Sequence, residues 1–256
     1  MGMTNSLLMS LAAGSFVGGA SGYLGSLMIT RKMALVGDAL GHVALPGMGL
    51  ALLLHLDSSV GAFVFLTLGI LVIWRLGERT SLSLETLAGL VFVTSLALGF
   101  LIIPKPELLE GLIGDLSQLT AEGTGIAALI SVVVIVVVKK IYPGMTLLSI
   151  SPDLATVEGI PVSKYNFAYL CAVALIVSVG IRVAGSLLVG ALVIVPAATA
   201  RVLSSNLKFY RRASFGFGVV SAVLGILSAR LFNLAPGPTI ILMSSILFIF
   251  AVMSKR

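Results

Sequence analysis

The sequence predicts an all-α integral membrane protein, a polytopic bundle of about nine transmembrane helices in a single domain spanning residues 1–256. Three observations lead to this fold class. Of the 256 residues, 58% are hydrophobic and only 10% are charged, whereas a soluble domain carries about 25% charged residues. Mean hydropathy is +1.16. The apolar residues also form runs that approach the roughly 20 residues needed to cross a bilayer.

Basic residues separate the apolar runs and predict how the bundle is oriented. With nine spans and an outside N-terminus, 13 of the 16 Lys and Arg residues lie on the cytoplasmic side. Such an excess is typical of cytoplasmic loops, so the C-terminus is predicted to be cytoplasmic and the charge of +6 does not indicate nucleic-acid binding. Several runs are short, so eight spans stay open as an alternative. The candidate spans cover residues 7–29, 34–55, 59–74, 86–104, 123–140, 165–181, 183–200, 213–232 and 237–253.

The second span contains two ionisable residues four positions apart, Asp38 and His42. Positions i and i+4 share one helix face, with Cβ atoms about 6 Å apart. An ionisable group inside a span is costly unless it has a partner, and it marks a candidate functional site. A carboxylate and an imidazole together suit borderline cations such as Zn²⁺, Mn²⁺ or Fe²⁺. The alternative from these residues alone is a buried structural hydrogen-bonded pair.

Two prolines lie within the predicted second and seventh spans, Pro46 and Pro196. A helical proline removes its own donor and clashes with the carbonyl four residues earlier. The carbonyls of His42 and Leu192 are therefore expected to lose a partner, and that of His42 would be available to an ion or a water molecule. A packed kink is the alternative at each position.

The short cytoplasmic segment at residues 151–159 carries the signals of a small helix. Ser151 suits the N-cap and Pro152 the first helical position, while Gly159 suits the left-handed position after the helix. The expected helix has about seven residues and a length near 10 Å. It is either a capped surface turn or a docking element for a separate motor. The chain has no G-x-x-x-x-G-K-[ST] phosphate loop, so any ATP hydrolysis is assigned to another subunit.

The outer connections contain further candidate residues for metal entry. His55 and Asp57 lie at the outer end of the second span, and Asp115 lies in the acidic connection at residues 105–122. Such side chains attract a cation or contact a delivery protein. The alternative is that they simply face water.

Three stretches, in this order, resemble the permease subunits of ABC-type transporters for manganese, zinc and iron(II). The first is RKMALVGDALGH at residues 31–42, and the third is RVAGSLLVGALVIVPAATAR at residues 182–201. The second is SPDLA, formed by Ser151, Pro152, Asp153, Leu154 and Ala155, followed by Gly159. Gly114-Asp115-Leu116 is a weaker fourth match, and the resemblance covers essentially the whole chain.

This resemblance implies a homodimer or pseudo-dimer of permeases with cytoplasmic ATP-binding subunits and an extracytoplasmic metal-binding protein. Asp38 and His42 match the aspartate–histidine pair that lines the family's translocation path. The segment at residues 151–159 matches its coupling helix.

The expected function is that of the membrane subunit of an ATP-driven importer of Zn²⁺, Mn²⁺ or Fe²⁺ in a prokaryotic cell membrane. The ion would be cargo moved by alternating access, with no permanently bound cofactor and no enzymatic activity on this chain. The alternatives are a proton-coupled secondary metal transporter and an ABC permease for a metal chelate. An intramembrane enzyme is disfavoured because the sequence contains no H-E-x-x-H motif.

Overall fold

In the computed structural model, which describes residues 2–56, 58–102, 120–186 and 188–255, every regular element is an α-helix. The predicted all-α, multi-pass architecture is thereby confirmed. The helices of these ranges are α1 (Gly2–Thr30), α2 (Leu35–Leu53), α3 (Ser58–Arg79), α4 (Leu84–Ile102), α5 (Ala121–Ile150), α6 (Pro152–Val157), α7 (Val162–Ala184), α8 (Val189–Leu203), α9 (Leu207–Phe232) and α10 (Pro236–Ser254).

Seven of these helices are long and apolar enough to cross a membrane: α1, α3, α4, α5, α7, α9 and α10. Two shorter apolar helices, α2 and α8, occupy the places of the second and seventh predicted spans. The count of nine spans and the orientation of the bundle stay predictions.

Several helices are longer than the apolar runs that predicted them. Helix α5 continues ten residues beyond the expected end at residue 140 and passes through Pro143. The continuation is stabilised because Tyr142, Met145 and Leu148 are buried against the rest of the bundle. Helix α9 begins at Leu207 rather than at residue 213. Its N-cap is Asn206, whose side chain accepts a hydrogen bond from the Phe209 amide at 2.9 Å. Charged residues that end an apolar run do not end a helix.

Helices α1 and α7 form the centre of the bundle. In each, 61% of the residues in the most apolar stretch are buried, against 22% in α4 and α5. Glycines let α1 approach its neighbours closely: a Cβ atom at Gly22 would lie 2.2 Å from the Ser214 carbonyl oxygen of α9. At Gly25, a Cβ atom would lie 1.9 Å from the Val193 carbonyl oxygen of α8. Side chains at these positions would push α8 and α9 away from the central helix.

Candidate metal site and coupling segment

Asp38 lies in the first turn of α2 and packs against the start of α8. A Cβ atom at Gly190 would lie 2.7 Å from the Cα, Cβ and Oδ1 atoms of Asp38. Only a glycine at position 190 therefore allows α8 to approach Asp38 this closely. Sequence analysis singled out the stretch that contains Gly190 but not this contact, because no local pattern links α2 to α8.

The connection between α7 and α8 packs against α2 beside this contact. Gly185 ends α7 with φ of 85°, and its N–H donates to the Ile181 carbonyl at 2.8 Å. A Cβ atom at Gly41 would lie 2.8 Å from the Ser186 carbonyl oxygen. At Gly41, one turn after the aspartate, α2 is thus pressed against the Ser186 carbonyl and the Val189 side chain.

His42 lies one turn further along α2 and contacts α4. Its ring centroid is 5.2 Å from that of Phe92, with the ring planes tilted by 33°. Phe92 lies about halfway along α4, so His42 contacts the middle of that helix. The Nδ1 atom of His42 is buried and has no hydrogen-bond partner among the described residues.

Asp38 and His42 are both half-buried. Within the described part of the chain, no hydrogen bond or ion pair joins them or ties either one to another side chain. The arrangement thus does not show the structural hydrogen-bonded pair that the sequence left open. Among the described residues, no group of three or more His, Cys, Asp and Glu side chains is placed to hold a metal ion.

Both predicted helix breaks lie inside continuous helices. Helix α2 runs through Pro46 to Leu53, and α8 runs through Pro196 to Leu203. Directly after Pro46, a Cβ atom at Gly47 would lie 2.2 Å from the Gly61 carbonyl oxygen, so this half of α2 is pressed against α3. The prolines thus weaken the backbone ladder of each helix without ending it.

The segment at residues 151–159 forms a capped helix, as expected. Ser151 is the N-cap of α6, its Oγ accepting from the Leu154 amide at 3.3 Å, and Pro152 and Asp153 occupy the first turn. The Ser151 N–H donates to the Leu147 carbonyl at 2.9 Å, so Ser151 also closes α5. Helix α6 has six residues rather than about seven.

The end of α6 has the predicted glycine geometry. Gly159 adopts φ of 71°. Its N–H donates to the Thr156 carbonyl and the Ile160 N–H to the Ala155 carbonyl, both at 3.0 Å. These two bonds define a Schellman motif, which favours glycine at the left-handed position.

One face of α6 anchors the helix and another is open. Ala155 is fully buried, whereas Leu154 is 52% and Val157 is 85% exposed. Ile150, at the end of α5, is exposed as well. A cluster of exposed aliphatic side chains on a short capped helix is typical of an interaction surface.

The remaining predicted site residues are only partly covered by the structure. His55 lies in the connection between α2 and α3, is exposed, and adopts φ of 55°. Asp57 and Asp115 lie outside the described residues. The predicted entry region is therefore represented by His55 alone.

Comparison with known proteins extends these observations to the whole chain. The profile of the ABC 3 transport family matches residues 3–255. The "High-affinity zinc uptake system membrane protein ZnuB" of Buchnera aphidicola subsp. Baizongia pistaciae is 33% identical over 250 residues, which are 95% of each chain. The "Manganese transport system membrane protein MntC" of Listeria monocytogenes is 30% identical over 239 residues, covering 92% of this chain and 85% of the relative.

A solved structure supports the same assignment. PsaBC from Streptococcus pneumoniae in complex with Fab superimposes with a TM-score of 0.82 at 28% identity, over 96% of this chain and 90% of that one. The resemblance inferred from the three motifs and the multi-pass membrane location are both confirmed. With a family match over essentially its whole length, the chain belongs to the ABC 3 transport family.

Proposed function

We propose that the chain is the membrane permease of an ATP-driven importer of divalent transition-metal ions such as Zn²⁺, Mn²⁺ or Fe²⁺. The proposal is supported by the family match and by relatives whose names describe zinc uptake and manganese transport. The observation that carries it is a half-buried carboxylate and imidazole on one face of α2, neither of them in a hydrogen bond or ion pair with another side chain of the described residues.

Asp38 and His42 line the path of the ion in this proposal. Structural zinc sites usually have four protein ligands, whereas a transported ion must leave its site as readily as it enters. A carboxylate and an imidazole from each chain therefore suit passage better than permanent binding. In a homodimer that meets at α2, a second Asp38 and His42 complete the coordination shell while the path alternates between its two openings.

The exposed aliphatic face of α6 is the docking surface for the cytoplasmic ATP-binding subunit. Leu154, Val157 and Ile150 supply the apolar contact, and the caps at Ser151 and Gly159 keep the helix formed. In this proposal the basic connections and the C-terminus lie in the cytoplasm, in a bundle of nine spans with its N-terminus outside. The extracytoplasmic metal-binding protein then delivers the ion near His55, Asp57 and Asp115.

Uptake by the reconstituted permease and its ATP-binding subunits tests this function. ATP-dependent uptake of Zn²⁺ or Mn²⁺ is expected, and Asp38→Asn and His42→Gln should each abolish it while the complex still assembles. Glu78→Gln neutralises an exposed carboxylate near the end of α3 and is the control, with uptake retained. Uptake that follows a proton gradient without nucleotide favours the secondary carrier instead. Uptake of a metal only as its organic chelate favours the chelate permease.

A further inference from the structure

A cluster of aromatic and basic side chains joins α1, α5 and α9 away from the metal site. The guanidinium carbon of Arg211, on α9, lies 4.8 Å from the ring centroid of Tyr142, on α5. Tyr142 is only 1% exposed. A cation over an aromatic ring binds more strongly when the pair is shielded from water, so Tyr142 and Arg211 make a firm contact between α5 and α9.

Tyr142 also contacts the central helix α1. Its hydroxyl oxygen lies 3.2 Å from Ser26 Oγ, and its ring centroid lies 6.3 Å from that of Tyr23. Tyr23 on α1 also interacts electrostatically with Arg211. One buried side chain of α5 therefore contacts both α1 and α9.

This contact lies next to the proline of α5, where a backbone hydrogen bond is missing, and close to α6. Pro143 follows Tyr142 directly, and a proline deprives the helix of a backbone hydrogen bond at that turn. From Tyr142 to Ser151, where α5 gives way to α6, is about 13 Å of helix. Tyr142, together with Met145 and Leu148 nearer to α6, is one of the buried side chains through which a displacement of α6 reaches the bundle.

A continuous set of close contacts leads from Tyr142 to Asp38. Ser26 neighbours Gly25, whose backbone packs against the Val193 carbonyl of α8. One turn before Val193, Gly190 packs against Asp38. Rigid helices in such close contact move together, because packed interfaces switch between arrangements rather than deform.

We propose that Tyr142, clamped by Arg211 and Ser26, is a positioning residue that transmits the movement of α6 through α1 and α8 to Asp38. The proposal rests on the proposed function, since it assumes that an ATP-binding subunit moves α6. Loss of the clamp uncouples ATP hydrolysis from ion movement without removing a metal ligand.

The number of metal ions moved per ATP hydrolysed is the measurement that tests this proposal. In the reconstituted complex, Arg211→Gln and Tyr142→Leu should lower that ratio at least about tenfold while ATP hydrolysis and subunit assembly are retained. Arg211→Lys keeps the cation and Tyr142→Phe keeps the ring, so each should restore at least about half of the ratio. The double variant should be no worse than either single variant, because both remove the same contact.

The neighbouring Arg212 provides a matched control. It is exposed and carries the same charge one position away, so Arg212→Gln should leave the ratio unchanged. The proposal is overturned if Arg211→Gln keeps the wild-type ratio, or if Arg212→Gln lowers it equally. Absence of ATP-dependent metal uptake by the wild-type complex would instead contradict the proposed function itself.

Discussion

At the scale of single residues, the contact between Gly190 and Asp38 sets the position of the carboxylate. The two residues lie on different helices, and any side chain at position 190 would overlap the backbone and Oδ1 of Asp38. Gly190 touches the aspartate without being a ligand itself. The position of Asp38 therefore depends on the absence of a side chain at position 190.

Gly190→Ala should displace Asp38 and weaken metal transport. We expect the apparent affinity for the transported ion to fall at least about tenfold, which corresponds to about 1.4 kcal/mol, as measured by uptake at varied metal concentration. Gly89→Ala is the matched control, because a Cβ atom at Gly89 meets nothing within 4 Å. Unchanged affinity in Gly190→Ala would contradict the role given to this contact.

Gly159 is the second position at which the local backbone requires glycine. Its φ of 71° lies in the left-handed region, where a residue with a side chain costs roughly 1–2 kcal/mol. Gly159→Ala should therefore loosen the end of α6 and lower metal-stimulated ATP hydrolysis. Glu158→Ala changes the neighbouring residue, which adopts φ of −70°, and should leave that activity near wild type.

At the scale of elements, α6 was predictable because its signals are local. The caps at Ser151 and Gly159 and the proline after the cap all lie within nine residues of sequence. The length of α5 was not predictable in this way. Lys139 and Lys140 mark the end of an apolar run, whereas the helix continues because Tyr142 and Met145 find buried places on other helices.

The exposed face of α6 leads to a prediction about subunit docking. Leu154→Glu and Val157→Glu place charges on the open aliphatic face and should abolish co-purification of the ATP-binding subunit. Thr156→Gln alters another exposed position of the same helix and should preserve it. Co-purification that survives both glutamate substitutions would show that α6 is not the main docking element.

At the scale of the whole molecule, sequence reasoning reached the architecture but not the contacts between distant helices. Apolar runs and basic connections identify helices because both signals lie along the chain, and the spacing of Asp38 and His42 places them on one helix face. The Phe92 ring beside His42 and the grip of Arg211 on Tyr142 join residues far apart in sequence. Patterns along a single sequence do not show which distant residues meet. They therefore do not predict these pairs or the approach of α8 to Asp38.

The orientation of the bundle predicts which loops a membrane-impermeant reagent reaches. The chain has one cysteine, Cys171, so Cys171→Ala gives a background for single new cysteines. His55→Cys should react from outside intact cells, whereas Glu158→Cys should react only after the membrane is opened. The reverse pattern would contradict an outside N-terminus.

The double capping role of Ser151 constrains the length of the chain between α5 and α6. Because one residue finishes α5 with its N–H and starts α6 with its hydroxyl, the elbow between the two helices contains no spare residue. A displacement of α6 is thus passed directly to α5, because no flexible residue separates the two helices. Homologues should therefore vary freely in their outer connections yet tolerate no insertion at this elbow.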